Sequence, residues 1–176
     1  TGPLTGGASI YGIAVQRGAE IAVEEVNALG GVQFELKMED DAHDAEKAVN
    51  AYNALKDWGM QLSLNSVTTT PGIATSELNA ADSIFGLTPS ASGTGVTEGK
   101  TNVFQMCFAD PNQGSASAKY ISDQQLGTKI GVIYKNDDAY SSGIYETFKA
   151  EADALGLEIV SETTFTTDSQ NDFSVQ

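Results

Sequence analysis

Two short stretches carry many hydroxyls and almost no charge: "SVTTTPG", residues 66–72, and "TPSAS", residues 88–92. Each comes after a short apolar run, "MQLSLN" and "IFGLT", that reads as a strand. Thr70-Pro71 reads as an N-cap followed by Pro at the first helical position, so Thr69 and Thr70 lie where a helix starts. A helix start offers unsatisfied N–H groups and the positive end of the helix dipole, which suits a carboxylate. A hydroxyl both donates and accepts, so Thr69, Ser90 and Ser92 together can hold a carboxylate and an ammonium. That is chemistry for gripping a zwitterion without reacting with it. The alternative for each Ser or Thr taken singly is a local cap or turn.

Other chemistry-bearing patterns are incomplete. Gly99-Lys100-Thr101 has the tail of a phosphate-binding loop, but Thr94 stands where the first Gly belongs. The next residues, "NVFQM", have the character of a strand rather than a helix, so the stretch reads as a connector. Gly93-x-Gly95 lacks the third Gly of a dinucleotide fingerprint, at Glu98, and Ser9 has Tyr11 where a nucleophile elbow needs Gly. Asp40, Asp41, His43 and Asp44 are a metal-capable set, but a strand end running into a helix cap explains them more simply, and no metal or cofactor is expected. The single cysteine, Cys107, reads as a small buried hydrophobe in "FQMCF". Nothing here assembles a nucleophile–base pair, so a binding protein is expected and not an enzyme.

Helices and strands alternate around these loops. Residues 11–29 read as a helix with Ile13, Ala14, Ile21, Ala22, Val26 and Leu29 inward, stopped by Gly30-Gly31. "VQFELKMEDD" alternates apolar and polar residues, as a strand near a sheet edge does. Asp44 caps a helix that ends at Gly59, with Tyr52 and Trp58 as packing residues. After 66–72 comes a helix through Ile73, Leu78 and Ala81. "ADPNQG" reads as a break before a helix near Ser115–Gln125, the strand "KIGVIY", a helix near Gly143–Leu155 and the strand "LEIVSETTF". The pattern is α/β with a mostly parallel sheet, divided near Asp110–Gly114 into two units. Ligands in such sheets sit beyond the carboxyl ends of strands. Besides the two hydroxyl-rich loops, the opening loop with Tyr11 and "YKNDDAY" ending at Tyr140 occupy such positions.

The 176 residues hold 24 Asp+Glu against 9 Lys+Arg, a net charge of −15. That argues against nucleic acid and against an anionic membrane surface. With 40% hydrophobic residues the chain can build a core, and no run is long and apolar enough to span a bilayer. No signal peptide is visible, and the opening "TGPLTGG" reads as a turn at a processed or trimmed start.

The ordered segments "GPLTGGASIYG", "RGAEIAVEEVNALGGV", "EDDAHDAEKAV", "LTPSAS", "DPNQGSASAKYI", "KIGVIYKNDDAYSSG" and "NDFS" resemble the branched-chain amino-acid-binding proteins of ABC transporters, over nearly the whole chain. The resemblance implies the type I periplasmic binding protein fold: two Rossmann-like α/β lobes that close on an amino acid, present here as an incomplete fragment. Lobe one would cover 1–108 without its first strand, the hinge crossing 109–114, and part of lobe two 115–176. It implies a ligand site at Tyr11, at Val67, Thr68 and Thr69 for the carboxylate, at Ser90, Ala91 and Ser92 for ammonium and carboxylate, and at Tyr140 as the closing aromatic. It also implies a small aliphatic amino acid as ligand, an ABC permease as partner, and a periplasmic or extracellular place with room for a lipid anchor. Asn65 and Gln105 depart from the family's usual Gly and Arg, and the acid that usually pairs with the ammonium would lie beyond Gln176. The same fold also serves ligand-sensing domains of receptors and regulators, the alternative reading.

Overall fold

In the computed structural model, which describes residues 1–174 and 176, the chain forms two compact units. Unit one is residues 1–91 with 95–107; unit two is residues 92–94 with 108–176.

Unit one begins with α1 (Ser9–Ala28) and α2 (Ala45–Trp58). Asp44 caps α2 by accepting the Lys47 amide, and Gly59 closes it in the left-handed conformation at φ 106°. Three short strands come next, β1 (Leu62–Leu64), β2 (Phe85–Thr88) and β3 (Val103–Gln105). They are parallel in the order β1-β2-β3, and α3 (Thr69–Asp82) joins the first two. Ala48, Ala51, Tyr52 and Leu55 bury the inner face of α2, and α2 packs on α3. At the far end of that contact Asp82 accepts from both Tyr52 and Lys56. Ala91, Val96 and Val103 form a second apolar cluster with Ile73.

Several expectations are corrected here. Residues 32–39 form no ladder; the one bridge nearby pairs Gly2 with Asp40. Alternation gives a segment two faces, but a strand also needs a partner backbone, and none lies alongside 32–39 among the described residues. The expected inner face of α1 is largely in solvent: Ile21, Val26 and Leu29 are exposed, and Gly12 is the helix's buried residue, because a Cβ there would meet the Pro3 carbonyl. Trp58 is 41% exposed, with the Lys37 ammonium 5.8 Å from its ring centroid. Cys107 is half-buried, its thiol donating to the Ala91 carbonyl at 3.6 Å.

Unit two contains α4 (Asp110–Asp123), β4 (Lys129–Lys135), α5 (Ala139–Ala154) and β5 (Glu158–Phe165), with β4 and β5 parallel. "ADPNQG" is not a break: residues 110–114 are the first turn of α4. Proline is accommodated there because first-turn N–H groups have no intrahelical acceptor. Ala118, Phe148, Ala152 and Leu157 make the core, flanked by Ile121, Ile130, Val132 and Ile159. Tyr134 stacks on Tyr145 with ring centroids 4.2 Å apart.

Gly114 marks a close approach of α4 to α5. A Cβ on it would lie 2.5 Å from the Ile144 carbonyl oxygen and 2.7 Å from the Phe148 nitrogen, both backbone atoms that cannot swing aside. Gly114→Ala is therefore expected to destabilise unit two by about 1–3 kcal/mol, as overpacking does, measured by urea unfolding followed near Tyr134 and Tyr145. Gly127→Ala, which meets nothing within 4 Å, serves as the control.

Candidate functional site

In unit one the predicted loop 66–69 is held by buried polar groups. Asp41, fully buried, accepts from the Ser66 hydroxyl and, at 2.9 Å, from the His43 amide. Asn65 Oδ1 accepts from the Ser66 amide at 2.9 Å and from the Thr75 hydroxyl. Asn65 Nδ2 donates to the Gly72 carbonyl at 3.4 Å. The departure from the usual Gly at position 65 thus has a local reason: this amide ties the loop to the helix it enters. Such charge-assisted or buried bonds contribute on the order of 1–3 kcal/mol each, most of it felt when one partner is removed.

Loop 66–69 and the segment after β2 are brought together. Thr88 Oγ1 donates to the Ser66 carbonyl at 2.9 Å and accepts the Ala91 amide at 2.9 Å. The approach is close enough that a Cβ on Gly72 would stand 2.8 Å from Ala91 Cβ. Val67 and Ala91 are each 1% exposed, Thr69 is 4% exposed, and Ser90 faces solvent. The cap of α3 is Thr68, not Thr70, and Pro71 is its third residue. Proline marks the first turn without fixing which of its positions it fills, since none of those N–H groups needs an intrahelical partner. The Thr68 side chain does not cap the helix; its hydroxyl meets His43 Nδ1 at 2.9 Å.

The acidic cluster at 40–44 is likewise taken up locally. Burial works against charge on Asp40, but the Thr5 hydroxyl and the amides of Leu4, Ala42 and Thr5 outweigh it and hold the carboxyl below its ordinary range. Among the described residues no group of three His, Cys, Asp or Glu is placed to hold a metal ion. Lys100 of the Gly-Lys-Thr sequence donates to the Gly95 carbonyl and pairs with Glu77, both at 2.8 Å. Its amine is committed inside the protein. Tyr11, in the first turn of α1, is 61% exposed and has no described contact with loop 66–69.

In unit two, Ser92 is 3% exposed, and its carbonyl accepts the Asp110 amide at 3.0 Å. Tyr140, in the first turn of α5, donates to Gln113 at 3.4 Å. Between these lies a residue that the sequence did not single out. Asp110 is 2% exposed, and neither carboxylate oxygen has a hydrogen-bond partner. Burial raises its pKa above the ordinary value; the nearby Ser92 hydroxyl pulls it down, and the charge of Asp138 adds to the rise. The available signal was an acid at the head of "DPNQG", hidden because Asp-Pro-Asn-Gln-Gly suits a turn as well as a helix start.

These two sets of groups define a class before they define a ligand: an α/β binding module of parallel strands with hydroxyls and a helix start beyond the strand ends. The chain belongs to the periplasmic binding protein family, whose model matches residues 1–176. It is 33% identical over 159 residues to a Leu/Ile/Val-binding protein homolog of Brucella melitensis biotype 1, covering 88% of this chain and 43% of that protein. It is 32% identical over 177 residues to the Leu/Ile/Val-binding protein BraC3 of Rhizobium johnstonii, covering 98% and 47%. The crystal structure of the branched-chain amino acid transporter substrate binding protein LivJ of Streptococcus pneumoniae, in complex with isoleucine, superposes with a TM-score of 0.89 at 26% identity. That match covers 98% of this chain and 50% of LivJ. The type I fold expected from the sequence is thereby established, and the chain spans about half the length of the relatives it matches.

Asp110 makes stability depend on pH. Its folded-state pKa is raised, so the folded state binds the proton more tightly than the unfolded state. Stability is then greatest below the unfolded carboxylate value near 4 and falls as pH rises towards the folded pKa. Asp110→Asn is expected to remove this slope and to leave unit two at least as stable at pH 7 as the parent, read from thermal unfolding between about pH 4 and pH 7.

Proposed function

We propose that this chain is the ligand-binding portion of an extracytoplasmic solute-binding protein that captures a small aliphatic amino acid of the leucine, isoleucine and valine class for an ABC permease. The observation that carries the reading is the joining of loop 66–69 to segment 88–91 through Thr88 at the start of α3. A helix start bordered by hydroxyls suits a carboxylate. In this reading Val67, Thr68 and Thr69 receive the carboxylate, Ser90 and Ala91 line its approach, and Ser92 contacts the ammonium. Asp110 supplies the counter-charge: an ammonium would give its orphaned oxygens the hydrogen bonds they lack. Tyr11 and Tyr140 present aromatic surface that excludes water. The relatives named as Leu/Ile/Val-binding proteins, and the isoleucine in LivJ, support the choice of side chain. Segment 109–114 serves as the crossing between lobes. The protein binds and releases its ligand unchanged.

A thermal-shift panel of the common amino acids on the complete protein is expected to single out leucine, isoleucine and valine. Thr69→Ala and Ser92→Ala are each expected to weaken binding by about 1–3 kcal/mol by calorimetry, because a charged ligand group loses a partner. Asp110→Asn is expected to weaken binding without lowering the stability of the unliganded protein, the mark of a group kept for its ligand. Unchanged affinity in both hydroxyl variants contradicts the assignment.

A further inference from the structure

The chain's one histidine, His43, is not among the ligand groups assigned above, yet it touches one of them. Its Nδ1 lies 2.9 Å from the Thr68 hydroxyl, and both residues are half-buried, within reach of solvent protons. Thr68 is the cap residue of α3, with φ −111° and ψ 153°, but its side chain makes no cap bond. A cap oxygen accepts from the second or third helical amide. Here the third helical residue is Pro71, which has no N–H, and the hydroxyl turns to the imidazole instead.

The contact is held from both sides. Ala42 and His43 each have left-handed backbone, at φ 47° and φ 61°. Asp40 fixes this turn by accepting the Ala42 amide at 2.8 Å, and Asp41 by accepting the His43 amide at 2.9 Å. The other oxygen of Asp41 accepts from the Ser66 hydroxyl, two residues before Thr68. One buried carboxylate thus holds both the backbone of His43 and the loop that carries Thr68, and the imidazole–hydroxyl contact closes the ring.

We propose that His43 is a positioning residue for the ligand carboxylate at the start of α3, acting through the Thr68 hydroxyl, and that its protonation tightens capture. A hydroxyl has a single proton. While Nδ1 is bare, Thr68 donates that proton to the ring. Once Nδ1 is protonated, the ring donates to Thr68 Oγ1, and the hydroxyl proton is released towards an acceptor at the helix start. The ring then also brings a positive charge to a helix end that is already positive. Without a ligand the two repel; a carboxylate bound there offsets both. Histidine is the side chain whose charge ordinarily changes between about pH 5 and pH 8.

The surrounding titratable groups do not supply this change at Thr68. Asp40, Asp41 and Asp44 of the same turn serve as acceptors for amides and hydroxyls. Glu46 and Lys47 lie in the first turn of α2, and the first turn of α3 has no acid. Burial pulls the Thr1 amine down to about 6, against the raising charge of Asp41, and burial raises Asp110 in unit two. Protonating Asp110 would weaken its hold on an ammonium, the opposite sign. The inference rests on the reading of the start of α3 as a carboxylate site.

The test is calorimetry of the complete protein with L-isoleucine at about pH 8 and about pH 5.5, beside His43→Asn. Asparagine tolerates left-handed backbone and keeps an amide near Thr68, but it does not titrate. Thr1 and Asp110 are present in both proteins, so the comparison cancels them. Lowering the pH is expected to improve the parent's affinity relative to the variant's by about three- to tenfold. By linkage, saturating L-isoleucine is expected to move the midpoint of the His43 ring signals upward in an NMR titration of the parent, which a merely structural histidine would not show. An affinity ratio that stays level or falls overturns the proposal and leaves the carboxylate site standing; so do ring signals whose midpoint the ligand does not move. No binding of L-isoleucine at either pH overturns the carboxylate reading and this inference with it.

Discussion

The buried carboxylate of Asp41 is the constraint on which the candidate site of unit one depends. A charge with no exposed surface must be met by donors, and here they are the Ser66 hydroxyl and the His43 amide. Ser66 is thereby fixed at the mouth of β1, and Asn65 beside it ties the same turn to Thr75 and Gly72 of α3. Thr88 reaches across from β2 to the Ser66 carbonyl. The start of α3 is thus positioned by polar bonds from three elements, together with the packing of Ile73 on Ala91, Val96 and Val103. Polar bonds fix direction, and a binding loop needs direction more than it needs buried area.

Unit two shows the opposite arrangement. Its core is apolar, its helices approach at Gly114, and it leaves Asp110 buried with the Ser92 hydroxyl nearby but no hydrogen bond of good geometry to its carboxylate. An orphaned buried carboxylate is a cost to folding, and proteins keep such costs where a ligand or a reaction removes them. The pairing of Asp110 with Ser92 through the backbone keeps the acid beside a hydroxyl that the sequence already marks as a candidate.

What was legible in the sequence was local. Asp44, the apolar face of α2 and Gly59 announce a helix from its own residues, and the hydroxyl-rich turns after β1 and β2 announce strand ends. What was not legible depended on distant chain. Residues 32–39 have a strand's alternation, but a ladder needs a neighbour that alternation cannot supply. The apolar stripe of α1 repeats at helical spacing, yet much of it meets only solvent. Asp41 and Asp110 look like any acids at turn-rich positions, and only tertiary contacts show that both are buried. Asn65 stood out as a departure; its role as a tie became visible only with Thr75 beside it.

If a small amino acid is held at the start of α3 and beside Ser92 and Asp110, the backbone amides there must sense it. An amide-resolved NMR titration of the protein with L-isoleucine reads this without intermediaries. Saturable shifts are expected at Thr69, Thr70, Ala91, Ser92 and Asp110. Shifts confined to residues 32–38 and β1, or none at the start of α3, would contradict the proposed binding mode.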